Sequence, residues 1–186
     1  MKLTGLAPLI GTDEALDRAT GSLASKRNAT LVAPLGVRPP ALAALAQASS
    51  DLPLVVLTAT GREAERLTVA LRSWSDAVEM LPAWETLPHE RLSPQVDTMA
   101  RRIAVLRRLA HPVEGDPHAG PLSILVIPIR AFLQPVICGL AEREPVRVHV
   151  GDRVDLPDLA SRLGELGYQR VDMVEGRGQL SIRGGI

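Results

Sequence analysis

Short apolar runs rich in β-branched residues alternate along this chain with capped amphipathic helices, and few folds accommodate that alternation. Four segments read as short strands: Ala29-Thr30-Leu31-Val32-Ala33-Pro34, Leu52-Pro53-Leu54-Val55-Val56-Leu57-Thr58, Ala77-Val78-Glu79-Met80-Leu81 and Ser123-Ile124-Leu125-Val126-Ile127. The third is the weakest. Continuous apolar runs of this length suit strands buried on both faces, as in a parallel sheet. Between them, the spacing predicts helices over about residues 13–25, 40–49, 61–73 and 94–110. Thr60 followed by Glu63 forms a capping box, and Ala64, Leu67, Ala70 and Leu71 then recur at helical spacing. Ser93-Pro94 reads as an N-cap with proline at the first helical position, and Met99, Ile103, Leu106 and Leu109 form the expected buried face. The pattern predicts an α/β domain in which helices cover a mostly parallel sheet.

The chain has 186 residues, enough for one domain and part of a second. With 46% hydrophobic residues it can bury a sizeable core, and a wholly disordered chain is excluded. Lys and Arg together number 21, as do Asp and Glu, so there is no bulk positive charge to grip nucleic acid. A local basic patch remains compatible with that neutrality. The basic residues are almost all arginine, with Lys2 and Lys26 the exceptions, and aromatic residues are scarce. The core must therefore be aliphatic, with little available for base stacking. A lone cysteine, Cys138, excludes an internal disulfide and a multi-cysteine zinc site, and its apolar surroundings predict a buried filler. No apolar run approaches ~18 residues, and the expectation is a soluble, cytoplasmic protein with no membrane contact.

Residues 111–122 hold three Pro and two Gly and read as a surface loop. Past about residue 140 the texture changes. Val146-Arg147-Val148-His149-Val150 alternates like a half-exposed strand, Asp155 caps a helix over about 156–166, and Tyr168 to Arg183 reads as two strands around the turn Gly176-Arg177-Gly178. Two units are expected: residues 1–140 as the α/β domain and residues 141–186 as the start of a smaller α+β domain. Because Arg183-Gly184-Gly185-Ile186 falls mid-strand, the expectation is a truncated domain in a piece of a longer protein.

Chemistry-bearing patterns are few. The loop Ala33-Pro34-Leu35-Gly36-Val37-Arg38-Pro39-Pro40 stands where a phosphate-binding loop would, but it has one glycine, no lysine and no hydroxyl for a metal. Arg38 is its only residue suited to a phosphate. His89, His111, His118 and His149 lie far apart without metal-ligand spacing and read as surface histidines. No nucleophile elbow or acid/base pair stands out, so no catalytic set is expected. Arg101, Arg102, Arg107 and Arg108 cluster on the 94–110 helix, where they form either a phosphate-contacting face or a solvated one. Pro82 to Pro94 packs Trp84, charged pairs and prolines into a rigid corner. Along a strand alternate residues share a face, which puts Tyr168, Arg170 and Asp172 together, with Arg183 on the returning strand nearby. Arginine and tyrosine on such a hairpin suit a protein interface, and a solvated hairpin fits the spacing equally well.

Several of these segments resemble the N-terminal region of the bacterial transcription-repair coupling factor (Mfd). The similarity rests on Trp84-Glu85-Thr86-Leu87-Pro88, Leu92-Ser93-Pro94, Arg102, Leu106, Ile124 to Gln134, Gly167-Tyr168-x-Arg170-Val171-Asp172 and Arg183-Gly184-Gly185-Ile186. It is looser over the first fifty residues and the 111–122 loop. The resemblance implies a UvrB-like, helicase-like α/β domain with a degenerate phosphate loop, followed by a smaller domain that recruits the excision-repair protein UvrA. On that reading Arg170 and Arg183 contact UvrA, with Tyr168 and Asp172 beside them, and no metal, cofactor or catalytic residue belongs to these 186 residues. Ser181 stands where UvrB carries a further arginine, which makes the expected contact different in detail. ATP, magnesium, RNA polymerase and double-stranded DNA are expected to engage other parts of the family's chain, an ATP-dependent DNA translocase that displaces stalled polymerase. The competing reading is a self-standing nucleotide- or DNA-binding ATPase-like domain.

Overall fold

The computed structural model describes residues 2–48, 52–86, 90, 93–142 and 144–183. Its α/β part contains helices α1 (Ala7–Ile10), α2 (Glu14–Ala24) and α3 (Arg38–Ala48), then strand β1 (Leu54–Thr58), helix α4 (Gly61–Leu71), strand β2 (Val78–Met80), helix α5 (Val96–Ala110), strand β3 (Ile124–Pro128) and the short helix α6 (Ile129–Phe132). Helix α7 (Leu156–Glu165) and strands β4 (Gln169–Arg170) and β5 (Gln179–Leu180) follow.

The main sheet is three-stranded and parallel, in the order β1-β3-β2, with Leu54 opposite Ile124 and Val78 opposite the same residue from the other side. Every residue of β3 is buried because it lies between two strands and under helices on both faces. Successive side chains of a strand point to opposite faces, so β3 feeds two cores. Ile124 and Val126 pack with Ala46, Ala64, Leu71 and Val78 beneath α3 and α4. Leu125 and Ile127 pack with Leu81, Val105, Leu122 and Ala131 beneath α5 and α6. The mixed α/β character and the parallel sheet agree with the sequence reading.

The cap of α4 forms as expected on its Thr60 side: the Glu63 amide donates to Thr60 Oγ1 at 3.1 Å. The returning Glu63 carboxylate accepts from the Ala59 amide at 3.3 Å, one residue before the usual capping-box partner.

Four expectations are corrected. Residues 29–34 form no strand: Val32 is 97% exposed, and the segment runs unpaired into a 3-10 turn at Leu35–Val37. Strand propensity reflects fit to a paired, half-buried surface, and among the described residues no strand pairs with this segment. Residues 146–150 are likewise irregular and largely exposed. Cys138 is exposed rather than buried, on a surface stretch where Ile137 is also largely exposed.

The fourth correction concerns α5. It starts at Val96 rather than at Pro94, and its N-cap, Gln95, makes no side-chain capping bond. The Glu85 carboxylate serves that end instead, accepting from the Thr98 hydroxyl and from the Gln95 amide. The buried face is also turned by one residue. Thr98, Arg102, Val105 and Arg108 are buried, whereas Met99, Ile103 and Leu106 are half-buried and Leu109 is exposed. Both buried arginines find acceptors, which permits the rotation. Arg102 donates to the Pro82 carbonyl (2.6 Å) and Arg108 to the Gly120 carbonyl (2.9 Å) and to Glu79 (3.0 Å).

Candidate protein-interaction site

The sequence singles out two regions, and they prove to have different characters. The first is the corner around Trp84. Gln134 holds the Trp84 backbone from both sides, accepting from its amide at 2.8 Å and donating to its carbonyl at 3.4 Å. Arg102 lies over the Trp84 ring, 4.4 Å from its centroid, and Arg130 donates to the Glu85 carbonyl. The hydrogen bond from Thr98 holds the Glu85 carboxyl below the usual carboxylate range. These contacts make the block a packing corner that ties β2, α5 and α6 together. Leu87, Pro88, His89 and Leu92, also singled out by the sequence, lie outside the described residues.

The second region is the α7–β4–β5 unit. Asp155 caps α7 as the sequence predicts, its carboxylate accepting from the Asp158 amide at 3.0 Å. No residue of α7 is buried. The two strands do not form a hairpin. They pair in parallel, Gln169 opposite Gln179 and Arg170 opposite Leu180. The connection over residues 171–178 carries the chain back so that β5 runs in the same direction as β4. Gly178, at φ +76°, supplies the backbone conformation for that return. The Gln179 side chain steadies it by accepting from the Glu175 and Gly176 amides (2.8 and 3.1 Å).

This topology separates the four candidate residues into two pairs. Tyr168 and Arg170 line a groove of about 550 Å³ against Leu156, Ala160 and Gly164 of α7, with Leu180 and Ile182 on its other side. Asp172 and Arg183 line a neighbouring recess with Met173, Val174 and Ser181. Strand β4 ends at Arg170, so the alternation that would carry Asp172 onto the face of Tyr168 and Arg170 does not continue. Arg183 donates to the Asp172 carbonyl at 2.6 Å, and Ser181 donates to the same oxygen at 3.0 Å. Tyr168, Arg170, Asp172 and Arg183 are all exposed. The unit thus presents two guanidiniums to solvent beside an apolar groove. Both suit bidentate recognition of carboxylates on a partner.

The remaining candidates are occupied within the chain. Arg38, the residue best placed to meet a phosphate, lies 4.0 Å from Glu63. Arg102 and Arg108 are buried, and Arg107 donates to the Ala141 carbonyl, so the four arginines of α5 do not form one phosphate-contacting face. His111 pairs with Glu142 at 2.6 Å and His149 with Asp152 at 3.4 Å. Among the described residues no three His, Cys, Asp or Glu side chains are grouped to hold a metal, and no helix is long and apolar enough to cross a membrane.

Sequence reasoning missed one contact that bears on this unit. Arg177, at the tip of the 171–178 connection, pairs with Asp97 in the first turn of α5 at 3.1 Å. Only the turn character of Gly176-Arg177-Gly178 was visible beforehand, because a long-range ion pair leaves no local pattern.

Comparison with known proteins adds an independent line. Residues 146–186 match the family model described as the UvrB interaction domain. The chain is 50% identical over 159 residues, 84% of its length, to the transcription-repair-coupling factor of Mycobacterium tuberculosis. It is 32% identical over 142 residues to the protein of the same name from Bacillus subtilis, and 26% identical over 171 residues to that of Escherichia coli. These matches cover 74% and 91% of the chain. The chain spans only 11–13% of the length of these relatives.

Proposed function

The chain belongs to the transcription-repair coupling factor family and corresponds to its N-terminal region, and from that premise we propose that it is a non-catalytic docking module for the excision-repair protein UvrA. The observation that carries this reading is the exposure of both Arg170, on β4, and Arg183, just beyond the end of β5, inside the stretch that matches the UvrB interaction domain. Their guanidiniums pair with carboxylates of UvrA, and Tyr168 and the α7 groove supply apolar area beside them. The unit from about residue 141 onward makes the contact. Residues 1–140 form a helicase-like domain with a degenerate phosphate loop and serve as its scaffold.

In the longer protein this module delivers UvrA to stalled RNA polymerase in the cytoplasm, in the service of nucleotide excision repair. ATP and magnesium bind elsewhere in that longer chain, where double-stranded DNA is translocated and polymerase displaced.

Two measurements test the division of labour. Purified UvrA co-elutes with this chain in gel filtration, and the Arg170→Ala/Arg183→Ala double variant no longer retains it. ATP with magnesium leaves the melting temperature of the chain unchanged, since a ligand that binds only the folded state must raise it. A clear nucleotide-induced shift overturns the non-catalytic reading, and undiminished co-elution of the double variant overturns the site.

A further inference from the structure

The tip of the 171–178 connection is fastened to the α/β part by an ion pair. Arg177 Nε lies 3.1 Å from Asp97 Oδ1, while Arg101, one turn further along α5, holds the other oxygen of the same carboxylate at 2.9 Å. Next to the ion pair the fit is tight. A Cβ on Gly178 would come within 3.3 Å of Val96 Cγ1, and the left-handed backbone at Gly178 disfavours any side chain. The connection therefore meets α5 through a charge shared by two guanidiniums and through a close approach of Gly178 to the Val96 side chain, where an added Cβ would be tight.

The fastened connection is also the segment that joins the two candidate arginines. It leaves β4 immediately after Arg170 and enters β5 four residues before Arg183, which donates to the Asp172 carbonyl. Asp172 itself lies in the connection. Holding its tip therefore limits the motion of the carbonyl that orients Arg183, and of the strand end that carries Arg170.

We infer that Asp97 and Arg177 form a clasp that pre-organises the arginine-bearing unit for its partner, making both positioning residues for UvrA binding although Asp97 lies on the other part of the molecule. This inference rests on the docking role proposed above. A contact ordered before association removes part of the ordering cost paid on binding. For an exposed ion pair the expected gain is about two- to five-fold in affinity. Because the clasp is the single Asp97–Arg177 pair, it loses its function whichever of the two is removed.

A double-mutant cycle read by two methods tests it. Asp97→Asn, Arg177→Ala and the double variant are titrated against UvrA by calorimetry, and hydrogen exchange of amides 171–178 is followed without UvrA. The clasp predicts the same loss, about two- to five-fold, in all three variants, because removing a second member of a broken pair costs nothing more. It also predicts faster exchange over 171–178 in each. Loss with Arg177→Ala but wild-type affinity with Asp97→Asn means that Arg177 touches UvrA directly, and overturns the inference. Unchanged exchange in Asp97→Asn overturns it as well. Arg170→Ala and Arg183→Ala run in parallel keep the two claims separate: if these leave affinity intact, the docking site itself is wrong, and the exchange data alone decide the clasp.

Discussion

Arg102 is 1% exposed, and among the described residues its Nε and Nη2 atoms find no hydrogen-bond partner, while Nη1 donates to the Pro82 carbonyl. Burial pushes its guanidinium pKa down, and the Trp84 ring returns part of the lost solvation as a cation–π contact. Replacing a poorly compensated buried charge by an apolar side chain of similar volume is often neutral, whereas removing its volume opens a cavity. Arg102→Met is therefore expected to leave unfolding free energy within about 1.5 kcal/mol of wild type, and Arg102→Ala to lower it by about 2–4 kcal/mol, both by urea denaturation. Equal losses in the two variants mean that the charge itself holds the corner. Glu85 makes a second prediction at this scale. Its folded pKa is lowered, so its contribution to stability is complete above the unfolded carboxylate range and is lost as pH falls through the lowered value. Thr98→Val removes the main cause. The stability gap between variant and wild type is expected to be full near about pH 6 and to narrow as the pH falls below the usual carboxylate range, and a gap that stays constant on acidification contradicts the assignment.

At the scale of elements, what was legible in the sequence divides by whether the signal is local. The capping residues Thr60 and Asp155 were readable because a cap is a contact within three residues, and β3 was readable because a strand buried on both faces must be apolar throughout. The face of α5 was not readable. Met99, Ile103, Leu106 and Leu109 have the same spacing as the residues that are buried, and the phase is set by acceptors on β2 and the 111–122 loop, distant in sequence. The parallel pairing of β4 with β5 was hidden for the same reason, since Gly176-Arg177-Gly178 marks a turn without fixing the direction of the strand beyond it. The 111–122 loop supports the buried arginine of α5 through one position. Gly120 accepts from Arg108, and a Cβ there would lie 2.5 Å from the Asp116 backbone oxygen. Gly120→Ala is expected to cost about 1–3 kcal/mol in thermal or urea unfolding. A neutral result means that the loop shifts without disturbing α5.

For the whole molecule, a scaffold carries a presenting surface. The scaffold is legible because its alternation of strands and helices is periodic. The surface was legible only in its residue types, arginine and tyrosine in an exposed strand region, and the resemblance to a repair family gave those types a partner. Their arrangement as Tyr168 with Arg170 in one groove and Asp172 with Arg183 in the next depends on pairing that no local pattern encodes. The central claim is that these two guanidiniums carry the energy of association. Truncating an interface arginine that carries binding typically costs about 2–4 kcal/mol, roughly 30- to 1000-fold in affinity. Calorimetric titration of UvrA into the wild-type chain and into its Arg170→Ala and Arg183→Ala variants measures this directly. The prediction is a loss of at least about thirty-fold in each variant with an unchanged melting temperature; wild-type affinity in both contradicts it.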